Sequence, residues 1–189
     1  MANDDPQVQS APFAIIGFLL MFASVFAALH AFYFMAVPDH VLRNYIHYHA
    51  IVRPAAAVIH RVAPEEHVVP LKGSLRSDTA KLEIVRGCDG SGMAFLLTAA
   101  IVSFPVPWKR RATGLVMGLG LIYLLNQTRI IAMYFVAAHR PDWFVLLHSY
   151  FVPGLLIVLS SVFFLWWASD SERVAVAIEA VTPTEPGLR

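Results

Sequence analysis

The feature that most constrains this chain is a run of uncharged, mostly apolar residues, Ala11 to Val37, that contains no Asp, Glu, Lys or Arg. A helix needs roughly 20 such residues to cross a bilayer, so this run is expected to span. It is too long for the apolar core of a signal peptide and follows Asp4 and Asp5 with no basic lead-in, which reads as a retained anchor. Two further runs, Ala112 to Ala138 and Trp143 to Ala168, are of similar length, and the second ends on the interfacial pair Trp166-Trp167.

A fourth span is expected between them and the first. Met93 to Trp108 alone is short and carries Pro105 and Pro107, but starting at Cys88 gives 88–108, enough to cover the hydrocarbon core with Cys88 at the helix N-terminus. The expected fold class is therefore all-α integral membrane. About four transmembrane helices (11–37, 88–108, 112–138, 143–168) form a single membrane-embedded domain, 1–168, followed by a flexible polar tail, 169–189. Within the loop 39–87, Val41 to Val52 suggests an interfacial helix. Val68, Val69, the Lys72-Gly73 turn, Leu75 and the alternation around Leu82 and Ile84 suggest a small β-hairpin.

Composition agrees with this class and narrows the chemistry. The chain is 58% hydrophobic and 14% charged, and its 14 basic and 13 acidic residues leave a net charge of +1 without a dense basic tract, so nucleic acid is not an expected partner. Cys88 is the single cysteine, which excludes an intramolecular disulfide, a C-x-x-C redox pair and a thiolate zinc site. Neither metal nor cofactor is expected. For orientation, Lys109, Arg110 and Arg111 cluster between the second and third spans, against Arg140 alone between the third and fourth, which points the cluster to the cytoplasm. The seven Lys and Arg of the 39–87 loop pull the other way, but that loop is long enough for the rule to weaken, and it is expected outside.

Three residues carry chemistry. An Arg at the centre of a spanning helix costs about 2.5–3.5 kcal/mol on insertion scales, so Arg129 either pairs for packing or faces an internal polar cavity. His148, alone, is as readily a hydrogen-bonded packing residue, and a lone Cys is usually an inert small hydrophobe. Depth joins them. Arg129 lies about 14 Å and His148 about 9 Å inside the face at which the second span begins with Cys88. A thiol, an imidazole and a guanidinium in one leaflet supply a nucleophile, a proton shuttle and a cation for acyl transfer. Asn126, one turn before Arg129, is expected to orient it or donate a second hydrogen bond; Gly87 and Gly90 frame the cysteine and permit close backbone approach, and Asp89 is expected to cap the helix.

At these residues the chain resembles the exosortase/archaeosortase family: Leu-Glu-Ile-Val-Arg-Gly-Cys-Asp-Gly over Leu82 to Gly90, Asn-x-x-Arg-Ile over Asn126 to Ile130, and His148 early in the last span. The similarity covers roughly Val52 to Ala168. Many members are longer at the N-terminus, and the usual small residue after the cysteine is here Asp89, which marks a compact form. The resemblance implies a multi-pass enzyme of the bacterial plasma (inner) membrane with its active site on the extracytoplasmic side. It implies as partner the C-terminal sorting signal of exported membrane-anchored proteins, cleaved through a thioacyl intermediate on Cys88 with Arg129 and His148 assisting, and transfer to an acceptor such as a lipid or glycan. Two other classes compete: a haem- or quinone-binding protein, prompted by eight histidines including His30, His139 and His148, and a non-catalytic membrane assembly subunit.

Overall fold

A computed structural model of the chain describes residues 6–181, with side-chain surroundings over 15–170. The chain is mostly helical with one small sheet, and three of its helices are long and apolar enough to cross a membrane: Ile15–Ala36, Trp108–His139 and Pro141–Asp170. The first belongs to α1 (Pro6–Ala36) and the second is α5 (Trp108–His139). The third is a continuous helical rod of α6 (Pro141–Leu146), a π-helical turn (Leu147–Phe151) and α7 (Val152–Val181). The rod thus continues past Ala168, where the sequence places the start of a polar tail, and residues 182–189 lie outside the described region.

The segment expected to span over 88–108 forms a shorter helix, α4 (Ser91–Ser103), whose 13 residues rise about 20 Å against roughly 30 Å of hydrocarbon. Both ends have a local cause. Gly87 and Gly90 take positive φ (+89° and +85°), which folds Cys88 and Asp89 into a turn ahead of the helix. Pro105 drives Phe104 into an extended conformation (φ −73°, ψ 134°) and ends it. Cys88 consequently sits two residues before the helix cap Gly90 and not at the first helical position as expected.

Between α1 and α4 the chain first forms α2 (Asp39–Val41), a π-helical stretch (Leu42–Val52) and α3 (Arg53–Val62). Pro54 explains the loosened register: it has no N–H for the Ala50 carbonyl and its ring crowds that oxygen, and the Arg53 N–H reaches back five residues to Tyr48. The freed Ala50 carbonyl accepts a hydrogen bond from Gln127 Nε2 of α5 at 2.9 Å. Leu42, Ile51, Val52, Ala55, Ala56 and Ile59 are buried, so much of the apolar face of this segment is covered by protein.

In place of the single hairpin the loop holds a three-stranded antiparallel meander, β1 (Val69–Leu71), β2 (Ser74–Arg76) and β3 (Lys81–Glu83), in the order β1-β2-β3. The register pairs Leu71 with Ser74 across the Lys72-Gly73 turn and Leu75 with Leu82 in the second ladder. Leu75, Leu82 and Ile84 face one core with Ile59, Ile130, Met133 and Tyr134.

A polar network fastens the β2–β3 connection to α5. Glu66 Oε2 accepts hydrogen bonds from Tyr134 Oη (2.8 Å) and Thr79 Oγ1 (2.9 Å), and Glu66 Oε1 lies 2.9 Å from His139 Nε2. The bonds from Tyr134 and Thr79 hold the Glu66 carboxyl below its ordinary range against the opposing effect of burial. A lowered folded value means the stabilising effect is complete above the ordinary carboxylate pKa and is lost as pH falls through the lowered one. Amide-exchange protection at Ala80, whose N–H is bonded to Ser77 Oγ, is expected to hold above about pH 5 and to fall in stronger acid once intrinsic exchange rates are divided out.

The second core, Leu97, Ile101, Ile122 and Trp167, joins α4, α5 and α7. It closes over Gly114 and Gly118, one helical turn apart, where small residues let helices approach within a membrane. A Cβ on Gly114 would stand 2.5 Å from Cε2 of the Trp167 indole, and one on Gly118 would stand 2.8 Å from Leu97 Cδ2. Gly114→Ala is expected to destabilise the protein by about 1–3 kcal/mol, read as a lower unfolding midpoint in detergent, because a rigid indole must shift to admit the methyl.

Candidate active site

The turn Gly87–Gly90 brings the cysteine to the last helical rod. Cys88 Sγ lies 3.4 Å from His148 Nε2, a hydrogen-bonding distance for sulfur. His148 sits in the π-helical turn Leu147–Phe151, where Val152 donates to the Leu147 carbonyl five residues back. Pro153 supplies the cause, since it offers no N–H to Ser149 and its ring excludes that carbonyl from a normal turn. Phe144, one turn earlier, stacks on the imidazole with ring centroids 5.2 Å apart and planes 9° apart, which fixes its plane.

Arg129 reaches the same place from α5. It lines, with Cys88, His148, Gly87, Gly90 and Leu156, an open cavity of about 380 Å3. The three residues that sequence reading placed in one leaflet thus border one cavity. Among the described residues Arg129 makes no hydrogen bond or ion pair, so its donors are not consumed by a structural partner. A half-buried guanidinium in this state is available to an anion or to an oxygen gaining negative charge.

Asn126 is placed differently from the expectation. Its side chain is 4% exposed, and its Nδ2 donates to the Asp89 carbonyl at 3.0 Å instead of pairing with Arg129. It also packs against Gly90, where an added Cβ would come within 2.9 Å of Asn126 Cγ. Asn126 therefore fixes the backbone of the turn that carries Cys88, and Gly90 is required both for its φ and for this close approach.

The cap of α4 falls on Gly90, without a side-chain bond, and not on Asp89 as expected; Asp89, one residue earlier, still binds the first turn. Its Oδ1 accepts from the Ser91 N–H (3.1 Å) and Ser91 Oγ (2.6 Å), while Oδ2 accepts from the Tyr33 hydroxyl and lies 2.9 Å from His47 Nε2. These contacts give both oxygens of a buried carboxylate a partner, without which its burial would be costly. Arg86 ties the same turn to the end of α1: it donates to the Tyr33 and Val37 carbonyls, the latter at 2.8 Å, pairs with Asp39 Oδ1 at 2.6 Å and stacks over the Tyr33 ring. A cation on the last carbonyls of a helix satisfies groups that have no partner within it.

The contacts that His47, Tyr33, Ser91 and Arg86 make around this turn were not read from the sequence. One signal pointed toward them: a carboxylate next to the only cysteine in so apolar a chain needs several donors if it is buried. Which donors supply them depends on long-range packing that no local pattern encodes.

No family model matches the chain, and neither a curated protein nor a solved structure does.

Proposed function

We propose that the chain is a membrane cysteine transpeptidase of the exosortase/archaeosortase type, acting on a C-terminal sorting signal of exported, membrane-anchored proteins. The observation that carries this reading is the 3.4 Å contact between Cys88 Sγ and His148 Nε2 on a cavity shared with Arg129, which has no ion-pair partner among the described residues. In the reaction His148 takes the thiol proton and the Cys88 sulfur attacks the scissile carbonyl. Arg129 faces the oxygen that becomes negative. Collapse expels the amine of the downstream peptide, which receives the proton from His148, and leaves a thioester on Cys88. An acceptor amine, hydroxyl or water then attacks the thioester, gives its proton to His148 and releases the thiolate.

In this reading α4 with its flanking residues 88–90 and 104–108 completes a fourth crossing. The membrane is the bacterial plasma membrane, with the cavity on its outer side. Lys109, Arg110 and Arg111 support that orientation: they lie at the start of α5, at the other end of the helix from His139, and Arg110 pairs there with Asp170 of the last rod. A substrate exported with its signal helix still in the bilayer presents its cleavage motif on the face where Cys88 stands.

The test is mass spectrometry of the C-termini of surface proteins from cells with and without the chain. A shortened C-terminus carrying an added mass supports transfer, and a shortened bare carboxylate supports hydrolysis by the same thiol. Identical full-length C-termini in both cells, or a Soret band in the purified protein, would count against the reading and for a non-catalytic or haem-binding role.

A further inference from the structure

A second pocket, of about 290 Å3, lies behind the nucleophile turn, bounded by α1, the π-helical stretch, α4 and α5. Its walls are mostly apolar, including Leu42, Ile46, Phe95 and Ile122. Polar side chains that are almost fully buried also line it, among them His47, 1% exposed, and Asn126, 4% exposed.

Each of these two has one side-chain atom with no protein partner, His47 Nδ1 and Asn126 Oδ1. With Nδ2 of Asn126 donating to the Asp89 carbonyl, the remaining Oδ1 is an acceptor. Nδ1 of His47 is an acceptor too in the tautomer that carries its proton on Nε2, toward the Asp89 carboxylate. Native proteins seldom leave buried polar atoms unsatisfied, and each one left so costs on the order of 1–3 kcal/mol. Asp89, whose side chain is 5% exposed, adds a buried negative charge to the same wall, and no Lys or Arg lines the pocket.

From these features we infer that the pocket binds a primary amine carried on an apolar chain. The ammonium group donates to Asn126 Oδ1 and His47 Nδ1 and faces the Asp89 charge, while the chain lies along Leu42, Ile46 and Phe95. An alcohol of the same length satisfies fewer acceptors and gains nothing from the charge, and a carboxylate is repelled. Gly90 borders both this pocket and the Cys88 cavity, which sets the two side by side. The binding needs neither the thiol nor the processing reaction.

The experiment uses the full chain in phosphatidylcholine nanodiscs and n-decylamine carrying a diazirine on its alkyl chain. After photolysis, peptide mass spectrometry is expected to find the label on the segments around Leu42–Ile51 and Ala94–Phe95. Unlabelled decylamine is expected to compete at least about tenfold better than decanol, the ratio for one charge-assisted hydrogen bond, and decanoate is not expected to compete. Ala94→Leu, which fills the pocket, is expected to lower the labelling at least fivefold with an unchanged thermal transition as the check on folding, and Asp89→Asn is expected to narrow the preference for amine over alcohol. Cys88→Ala is expected to label as the wild type does, which separates this site from the catalytic reading. Phosphatidylethanolamine in the nanodisc identifies a lipid headgroup as the amine if it competes, and a free alkylamine if it does not while decylamine still does. Labelling that does not saturate, that falls elsewhere, or that decanol suppresses as well as decylamine overturns the proposal.

Discussion

Cys88→Ala is expected to abolish processing of signal-bearing proteins, with a rate loss of about 10^4-fold or more, and to leave the unfolding midpoint within about 1 kcal/mol of the wild type. The two halves of this result have separate causes. A covalent mechanism loses its only nucleophile, and there is no second cysteine in the chain to replace it. The fold loses little, because Cys88 is not part of either apolar core and the turn that holds it is fixed by Gly87, Gly90, Asn126 and Asp89 rather than by the thiol. Accumulation of full-length substrates in cells carrying the variant, measured beside its thermal unfolding in detergent, checks both halves. His148→Ala is expected to be milder, about 10^2- to 10^4-fold, since removing a proton shuttle leaves the sulfur in place. Normal processing by Cys88→Ala would refute the catalytic reading outright.

How much of this was legible in the sequence follows from what each feature depends on. The three long helices are visible because a run of about 20 uncharged residues has few other solutions, and their limits agree with the sequence to within several residues except at the end of the last rod, which runs on to Val181. The shared cavity is visible because it depends only on the order of the spans and the rise per residue: Cys88, Arg129 and His148 all fall near one end of the bundle. The second apolar run misled at both ends, for reasons that were present in the letters. Gly87 and Gly90 hold the cysteine in a turn, and Pro105 stops the helix at Ser103. The π-helical turns were likewise written in Pro54 and Pro153, each of which removes a backbone donor within a helix. The segment read as one hairpin holds three strands, because each strand has three residues, too few for a period of two to separate them. The Asp89 network could not be read at all, since Tyr33, His47 and Asp89 lie 42 and 56 residues apart in the pairs that matter.

Arg129→Leu is expected to slow processing by about 10^2- to 10^3-fold, the loss associated with one oxyanion-stabilising donor, while leaving the protein as stable as before or more so. The sign of the stability change is the informative part. A structural arginine that pairs with a buried carboxylate would, on removal, leave that partner uncompensated at a cost of about 3–5 kcal/mol. Arg129 has no such partner among the described residues, and an intramembrane Arg itself costs about 2.5–3.5 kcal/mol to insert, so replacing it with leucine relieves a penalty. Activity and stability then move in opposite directions, as they do where a residue is retained for chemistry at the expense of the fold. Arg129→Lys separates charge from shape: it keeps the cation on a shorter, single-point donor, and partial activity between the wild type and Arg129→Leu is expected if the fork of the guanidinium matters as well as its charge. Processing rates of the three proteins measured beside their unfolding midpoints provide the check. A large loss of stability in Arg129→Leu, parallel to its loss of activity, would assign the residue to packing and leave Cys88 and His148 without the cation their chemistry needs.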